Sequence, residues 1–334
     1  MNQSPRIVLW RPMYNTLGHD LLSEAGADVV VVDSDNPDEV KQALHGAKAL
    51  WVRTPERITA DVLDAGRELV VVSTSGFGTD NVDIEAATER GILVVNHLGF
   101  GRIPVAEHTI MMILACAKQL VWGDRATRDG TAWSQRSNKG MFELDSKTVG
   151  LVGVGYIGAE IARKLRYGFR CRVLGYDPYA DARLAHAVDV DMVQDLPTLL
   201  AQSEVLILVP ELTEETKGLI GETELRTLPA NAIVVNTGRG QVLNIDALVA
   251  ALDDEHLYGA GLDVVYPEPL PDGHPLLTHP KVILSPHIAG GTVEATEGLA
   301  RSAAEQIMTA LHGTLPKFPV NPDVWRSDQS RRPQ

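Results

Sequence analysis

Short apolar runs rich in valine, isoleucine and leucine alternate with amphipathic stretches along the chain. In the first hundred residues these runs cover 6–10, 28–33, 49–53, 69–73 and 92–95. The segments HDLLSEAG and DEVKQALHGA between them are typical of helices. Such alternation predicts a parallel sheet covered by helices.

The alternation stops at residues 103–121, IPVAEHTIMMILACAKQLV. Apolar residues would lie on nearly every face of a helix formed by this segment. It therefore predicts one long helix that is buried between domains or subunits.

A second series of strands and helices begins at Thr148. Its apolar runs are TVGLVGVG, CRVLGYD, EVLILVP, AIVVNTG, LYGAGLDVV and KVILSPH. A last long helix is expected over 292–312, and the polar tail RSDQSRRPQ is expected to be frayed. Since 334 residues exceed one compact core of ordinary size, the chain predicts two α/β units joined by long helices.

Composition narrows the class of protein. Hydrophobic residues make up 44% of the chain, and the formal charge of −14 argues against nucleic acid or an anionic membrane as partner. Cys116 and Cys171 lie far apart in apolar segments, which favours buried, reduced thiols. No apolar run has the length of a membrane span, and the first residues lack an export signal, so we expect a cytoplasmic protein.

Three glycines follow an apolar strand and open a helix in VGLVGVGYIGAE. Gly153, Gly155 and Gly158 fit the pattern G-x-G-x-x-G in the strand–turn–helix context that this pattern requires. Without Cβ atoms, such a turn lets pyrophosphate oxygens approach backbone N–H groups at the positive end of a helix. The loop therefore predicts a dinucleotide site.

An acid at the end of the next strand indicates which dinucleotide binds. Asp177 lies 19 residues after Gly158, where a carboxylate accepts hydrogen bonds from the ribose hydroxyls. A 2′-phosphate beside this carboxylate would cost about 1–4 kcal/mol at about 4 Å. NAD is therefore favoured, and NADP stays open only if Arg183 folds back toward Asp177.

Three reactive side chains follow later strands. Arg239 lies between two glycines in NTGRGQV, Glu268 lies between two prolines in YPEPL, and His287 follows the strand in VILSPHIAGG. In an open α/β sheet, ligands bind at the carboxyl ends of the strands. We therefore expect these three side chains to share one site.

Together with NAD, this trio predicts hydride transfer coupled to proton transfer. A carbonyl that becomes an alcohol needs a proton donor near neutral pH, and histidine suits this role. A neighbouring carboxylate stabilises the imidazolium and fixes its tautomer. Arginine has the planar geometry that binds a substrate carboxylate through two hydrogen bonds.

The sequence resembles the D-2-hydroxyacid dehydrogenase family, which includes phosphoglycerate dehydrogenases, glyoxylate/hydroxypyruvate reductases and D-lactate dehydrogenases. The similarity covers nearly the whole chain. It rests on GFGTDNVDIEAATERGILVVN, VAEHTIMMIL, KTVGLVGVGYIG, YDPY, ETKGLI, VVNTGRG, GAGLDVVYPEPL and HPLLTHPKVILSPHIAG, in the order that the family has them.

The resemblance implies a two-domain α/β fold with two parallel, Rossmann-like sheets. A nucleotide-binding domain at 99–290 would be inserted into a flavodoxin-like substrate domain formed by 1–98 and 291–334. The active site would lie in the cleft between the domains. A homodimer would form through the helix at 103–121 and the segment WGDRATRDGTAWSQR.

The resemblance also implies roles for individual residues. Arg239 would bind the carboxylate and carbonyl of a 2-oxo acid, His287 would donate the proton, and Glu268 would be its partner. The expected substrate contacts are Arg53, Phe77, Gly78, Phe100 and Arg102, with the carboxylate on the N–H groups of Phe77 and Gly78. The expected NAD contacts are Gly153, Gly155, Tyr156, Ile157, Gly158, Asp177, Pro178, Val209, Pro210, Thr216, Thr237, Gly238, Asp263, Ala289 and Gly290.

Several positions depart from the family pattern and bear on the substrate. Phosphoglycerate dehydrogenases carry an arginine where this chain has Thr74, and a frequent asparagine of the family is Gly101. Phe77 and Phe100 add bulk. These changes argue against phosphoglycerate but name no replacement, so glyoxylate and hydroxypyruvate are placed first, with phosphoglycerate as an alternative. A separate departure lies near the cofactor, where Val209, Pro210 and Glu211 stand at a frequent His-x-Pro of the family.

The superfamily contains two further classes of protein. An NAD(H)-sensing protein like the C-terminal-binding corepressors keeps the same trio and therefore stays an alternative. Formate dehydrogenases need no proton donor and have glutamine in place of Glu268, so that class is disfavoured.

His274 and His279 lie close to His287, but the prolines after them indicate turns and no metal site is expected. His97 and His108 are expected to serve structure.

Overall fold

The computed structural model describes residues 4–138 and 140–333. The chain divides into two compact units. Unit 1 comprises Met1–Gly101 and Gly291–Gln334, and unit 2 comprises Arg102–Gly290. The first division falls slightly later than the position after residue 98 that the sequence suggested.

Helices and strands alternate through both units. The strands are β1 (Arg6–Trp10), β2 (Asp28–Val32), β3 (Ala47–Val52), β4 (Val71–Ser73), β5 (Leu93–Val95), β6 (Thr148–Val152), β7 (Arg172–Tyr176), β8 (Asp191–Met192), β9 (Val205–Leu208), β10 (Ala232–Asn236), β11 (Leu257–Leu262) and β12 (Val282–Leu284). The helices are α1 (Leu17–Glu24), α2 (Pro37–Ala43), α3 (Ala60–Ala65), α4 (Ile84–Glu89), α5 (Arg102–Ala117), α6 (Leu120–Arg128), α7 (Ala132–Gln135), α8 (Tyr156–Phe169), α9 (Ala182–Ala187), α10 (Leu196–Leu200), α11 (Glu222–Thr227), α12 (Ile245–Asp253) and α13 (Val293–Leu311).

Unit 1 contains a five-stranded parallel sheet in the order β2-β1-β3-β4-β5. Successive side chains of a strand point to opposite faces. Ile7 and Leu9 of β1 therefore pack with α1 and α13, whereas Val8 and Trp10 pack on the other face with α2 and α3. Because both faces are covered, the strands are continuous apolar runs without polar alternation.

The C-terminal tail packs onto unit 1. The amide of Arg331 donates to the carbonyl of Gly91 at 3.1 Å, and its Nη1 donates to the carbonyl of Gly66 at 2.9 Å. The prediction of a frayed tail was therefore wrong for the described residues. A polar sequence carries no signal for hydrogen bonds to distant backbone carbonyls.

Unit 2 contains a seven-stranded parallel sheet in the order β12-β11-β10-β9-β6-β7-β8. The chain proceeds from β6 to β8 in one direction and then returns to place β9 on the other side of β6. The carboxyl ends of β6 and β9 thus form a topological switch point, the place where open α/β sheets bind ligands. The prediction of two parallel sheets covered by helices is confirmed.

The segment 103–121 forms no single helix, and that prediction was wrong. Helix α5 ends at Ala117, Gln119 adopts a left-handed conformation with φ of 48°, and α6 begins at Leu120. The Gln119 side chain donates to Tyr258 Oη at 2.8 Å. This contact is made between residues far apart in the chain, so the apolar pattern gave no sign of the break.

The apolar residues of α5 are covered largely within unit 2. Helix α5 packs against α8 and strands β10, β11 and β12, and its side chains share one core with β6. Met111 of this helix is exposed, as are Leu120 and Val121 of α6. Within the described part of the chain, no helix combines the length and apolarity that crossing a membrane requires.

Candidate active site

The glycine loop after β6 leaves room for a ligand at the start of α8. Gly153 has a φ of +92°, and a Cβ there would lie 2.7 Å from the amide nitrogen of Pro210. A Cβ on Gly158 would lie 2.2 Å from the carbonyl oxygen of Gly153. Gly155, the N-cap of α8, faces open space with nothing within 4 Å. Two glycines therefore shape the turn, and the third leaves the helix N-terminus accessible, which fits a pyrophosphate group.

The Asp177 carboxylate lies beside this loop. Its Oδ2 accepts a hydrogen bond from the Val154 amide at 2.9 Å, and its Oδ1 accepts one from the Tyr179 amide at 2.9 Å. Each carboxylate oxygen has a further lone pair for a ribose hydroxyl. The Asp177 carboxylate is thus held in place and can still accept hydrogen bonds from a ribose.

Arg183 forms an ion pair with Asp181. Its guanidinium binds the Asp181 carboxylate with an Nη2–Oδ2 distance of 3.1 Å, and its side chain is 93% exposed. The hydrogen bond from Arg183 lowers the pKa of the Asp181 carboxyl. The cation that would neutralise a 2′-phosphate is therefore engaged with another acid, which supports NAD over NADP.

His287 and Glu268 form a hydrogen-bonded pair. His287 Nδ1 lies 3.0 Å from Glu268 Oε2, and the two side chains are 34% and 31% exposed. A carboxylate only accepts, so Nδ1 carries the hydrogen and Nε2 is the atom left for chemistry. The other oxygen of Glu268 accepts from the Val265 amide at 3.2 Å, which holds the acid in position.

Arg239 lies on the adjoining loop after β10. The Asn236 side chain supports this loop, since its Nδ2 donates to the Arg239 carbonyl at 3.0 Å and its Oδ1 accepts from the Gly238 amide at 3.1 Å. A Cβ on Gly240 would lie 2.0 Å from the carbonyl oxygen of Val265. The close approach at Gly240 places the Arg239 loop directly against the loop of Glu268. Arg239 Nη1 donates to the Gly238 carbonyl at 3.0 Å.

The Asp263 side chain and the Ala289 amide, both of residues predicted to contact NAD, form a hydrogen bond with each other. Asp263 is buried, its Oδ2 accepts from the Ala289 amide at 2.9 Å, and its Oδ1 accepts from the Ile288 amide at 2.9 Å. Both oxygens therefore hold the loop that carries His287. Gly290 ends this loop, where a Cβ would just touch Val105.

The remaining predicted NAD contacts lie at the same edge of the sheet. Val209 and Pro210 follow β9 and border Gly153, while Thr237 follows β10 and is buried against Thr109 with an Oγ1–Oγ1 distance of 2.8 Å. Tyr156 and Ile157 open α8, with Tyr156 exposed and Ile157 against the core, and Pro178 is exposed after β7. Thr216 Oγ1 donates to the carbonyl of Glu211 at 2.6 Å and closes the loop after β9. The side chain of Glu211 itself faces solvent.

The predicted substrate residues of unit 1 occupy the loops after β3, β4 and β5. Arg53 Nη1 donates to the Pro12 carbonyl at 3.0 Å, and its guanidinium lies 4.9 Å from the ring centroid of Tyr14. Phe77 is 41% exposed. In the described chain, the N–H groups of Phe77 and Gly78 have no hydrogen-bond partner, which leaves both as donors.

Phe100 and Arg102 flank the junction before α5. The Phe100 ring packs on α13 in unit 1, where a Cβ on Gly298 would lie 2.6 Å from Cδ1. Arg102 begins α5 in unit 2 and is exposed. It lies near Glu160, whose pKa is lowered first by its hydrogen bond with Arg163 and to a smaller extent by the charge of Arg102.

Sequence reasoning missed two polar side chains that contact predicted residues. Tyr14 stacks on Arg53, and Ser285 lies between His108 and the buried Asp263. Ser285 could have been noticed, because it stands two residues before His287 in SPH. Tyr14 belongs to no recognisable pattern, and only the fold brings it to Arg53.

Comparison with known proteins places the chain in a family. Residues 110–289 match the family described as D-isomer specific 2-hydroxyacid dehydrogenase, NAD binding domain. A glyoxylate reductase from Thermofilum pendens is 38% identical over 320 residues, which is 92% of this chain and 92% of that protein. A protein of solved structure from Thermus thermophilus superposes with a TM-score of 0.86 at 34% identity, covering 94% of this chain and 99% of that one.

A longer relative is also similar. The D-3-phosphoglycerate dehydrogenase from Methanocaldococcus jannaschii is 35% identical over 301 residues, which is 90% of this chain but 56% of that protein. The present chain thus spans little more than half the length of that relative.

The chain belongs to the D-isomer-specific 2-hydroxyacid dehydrogenase family. The residues that match the NAD-binding-domain model, 110–289, lie within unit 2. The resemblance found in the sequence is therefore confirmed, as is the prediction of an NAD-dependent dehydrogenase at the level of the family.

Proposed function

We propose that this protein transfers a hydride between NADH and the C2 carbonyl of a small 2-oxo acid, giving a D-2-hydroxy acid. Glyoxylate and hydroxypyruvate are the favoured substrates. The observation that carries the proposal is the His287–Glu268 pair, at 3.0 Å, on the sheet edge that also bears the glycine loop and Arg239.

NADH, when bound, supplies the hydride to the carbonyl carbon. As negative charge develops on the carbonyl oxygen, the Nε2–H of protonated His287 donates its proton to that oxygen. The Glu268 carboxylate stabilises the imidazolium and keeps the hydrogen on Nδ1, so Nε2 is the proton-transferring atom. In the reverse direction, neutral His287 accepts the proton from the alcohol through Nε2.

Arg239 and two backbone amides are proposed to hold the substrate. The guanidinium of Arg239 is planar and can bind the carboxylate and the carbonyl oxygen of a 2-oxo acid together. The N–H groups of Phe77 and Gly78 are proposed to bind the same carboxylate, which their lack of partners in the described chain supports. Contacts between the substrate and Arg53, Phe100 and Arg102 remain predictions.

The residue at position 74 argues against phosphoglycerate as the substrate. Thr74 is buried, and its Oγ1 donates to the carbonyl of Gly76 at 2.9 Å. Its hydroxyl is therefore committed to the loop, and it brings no positive charge for a phosphate. The exposed aromatic ring of Phe77 adds bulk in the same loop.

A substrate panel tests the proposal. Purified protein is incubated with about twenty 2-oxo acids and their D-hydroxy counterparts, with NADH/NAD and NADPH/NADP, and absorbance at the nicotinamide band is followed. We expect turnover of glyoxylate or hydroxypyruvate with NADH and its loss in His287→Ala. His186→Ala, an exposed histidine on α9, is the matched control and should retain activity. Tight NADH binding without turnover of any substrate would instead favour the corepressor-like sensor.

A homodimer is proposed through the exposed apolar side chains of α5, α6 and the residues that follow. These side chains are Met111, Leu120, Val121, Trp133 and Met141. Large exposed apolar groups that cluster in one part of a chain are typical of protein interfaces. Light scattering should show a dimer that dissociates in Leu120→Glu, whereas Leu277→Glu, also exposed in unit 2, should leave it intact.

A cytoplasmic location stays a prediction, which the two free, buried cysteines support.

A further inference from the structure

A chain of polar contacts joins helix α5 to the loop that carries His287. His108 Nε2 lies 2.9 Å from Ser285 Oγ, and the same hydroxyl donates to Asp263 Oδ1 at 2.5 Å. Because the hydroxyl gives its only hydrogen to the carboxylate, it accepts from His108 Nε2–H. His108 Nε2 is itself 3.6 Å from Asp263 Oδ1.

Asp263 anchors the loop at the end of this chain of contacts. Its side chain is 1% exposed, and a buried carboxylate requires hydrogen-bond partners. It takes Ser285 on one side of His287 and the amides of Ile288 and Ala289 on the other. The carboxylate therefore clamps the chain on both sides of the proposed proton donor.

His287 depends on such a clamp because of its backbone. Its φ is +55°, in the left-handed region that is unfavourable for residues other than glycine. Such a conformation persists where the surroundings hold it. The amide of His287 donates to the carbonyl oxygen of Asp263 at 2.8 Å, so the same residue also holds the strained backbone.

We propose that His108 is a positioning residue for His287. It acts from α5 through Ser285 and Asp263, and it touches neither Glu268 nor His287 in the contacts described. Without the His108 N–H, the Ser285 oxygen loses its hydrogen-bond donor, and the hydroxyl becomes a weaker donor to the buried Asp263 carboxylate. The loop then samples positions in which His287 leaves Glu268. The kinetic consequence rests on the proposed function, but the structural consequence does not.

Three single variants and one double variant test the proposal kinetically. His108→Leu keeps the bulk but removes the N–H, and we expect kcat to fall roughly tenfold to a hundredfold, as misplacement of a reacting group does, with KM little changed. His108→Gln supplies an N–H near the position of Nε2 and should restore most of kcat. Ser285→Ala should resemble His108→Leu, and the double variant should lose no more than either single one, because both act in one chain of contacts.

The matched control is His256→Leu. His256 lies in unit 2, half-buried, with Nε2 at 3.1 Å from the carbonyl oxygen of Leu225, so the same N–H is removed away from the His287 loop. This variant should keep the kcat of the wild type. Equal losses in His108→Leu and His108→Gln would overturn the proposal, because the N–H that glutamine supplies would then make no difference to kcat.

A second readout does not depend on turnover. Nitrogen-15 NMR spectra are recorded on the free protein labelled at histidine. The signals of the His287 ring are identified because they are missing in His287→Gln. The wild type should show the hydrogen fixed on Nδ1, and His108→Leu should show a ring that exchanges between tautomers. Unchanged His287 signals in His108→Leu would overturn the proposal. If the wild type turns over no 2-oxo acid, the proposed function fails, while these spectra still decide the role of His108.

Discussion

Glu268 binds His287 through one carboxylate oxygen and its own loop backbone through the other. Oε2 lies 3.0 Å from Nδ1 of the ring, and Oε1 accepts the Val265 amide at 3.2 Å. The acid therefore links the orientation of the imidazole to the backbone after β11. That strand pairs directly with β12, which leads to His287.

Removing the charge of Glu268 should slow the proposed reaction. In Glu268→Gln the side chain still reaches Nδ1, but it no longer stabilises an imidazolium, so we expect kcat to fall on the order of a hundredfold. Steady-state kinetics on the best substrate of the panel would measure this. Glu305→Gln, an exposed acid on α13, is the control, and an unchanged kcat in Glu268→Gln would remove Glu268 from the mechanism.

Two glycines of one motif should respond differently to alanine. A methyl group at Gly155 enters open space, so Gly155→Ala should fold normally but bind NADH at least about tenfold more weakly, because the methyl occupies the place of the pyrophosphate. A methyl at Gly158 meets the carbonyl of Gly153, so Gly158→Ala should lose about 1–3 kcal/mol of unfolding free energy. Thermal unfolding and NADH titration separate the two effects. Tight NADH binding by Gly155→Ala would contradict the proposed cofactor position.

The charge of Asp177 should determine the choice of cofactor. Asp177→Asn can still accept from the Val154 and Tyr179 amides but no longer repels a 2′-phosphate. We expect the ratio of kcat/KM for NADPH over NADH to rise about tenfold or more. Asp323→Asn, exposed in unit 1, should leave the ratio unchanged. A ratio that stays constant in Asp177→Asn would mean that another group discriminates the phosphate.

The buried His97 should make stability depend on pH. Burial is the main cause that lowers its pKa to about 4, from an ordinary value of 6.5. Between these values the unfolded chain binds a proton that the folded chain does not, so stability falls as the pH drops from about 6.5 to about 4. Urea unfolding at several pH values should show a smaller slope in His97→Gln than in the wild type. His45→Gln, on an exposed histidine, should keep the wild-type slope, and a similar slope in His97→Gln would show that other groups dominate.

Both cysteines should be inert in the folded protein. Burial raises the pKa of Cys116 to about 12 and that of Cys171 to about 11, so little thiolate forms at pH 8. Iodoacetamide should modify neither residue until urea unfolds the chain, when both react. Mass spectrometry of native and unfolded samples gives the result. Rapid modification of either residue in the native sample would show that its thiol is accessible.

The sequence alone determined the α/β class, the strands, the glycine loop and the candidate trio. These features are local: a buried parallel strand requires a continuous apolar run, and a close backbone approach requires glycine at Gly153 and Gly158. The family resemblance, which comparison confirms, rests on the same local motifs. Each could be recognised without knowing which segments meet.

Only the tertiary structure decided the relations between distant segments. The break at Gln119, the packing of the tail through Arg331 and the link from His108 through Ser285 to Asp263 each join residues that lie far apart in the chain. Such contacts leave no period and no spacing in the sequence, because a hydrogen bond depends on where two segments meet in space. The apolar pattern therefore specifies which faces are buried, and the folded chain specifies which polar groups meet there.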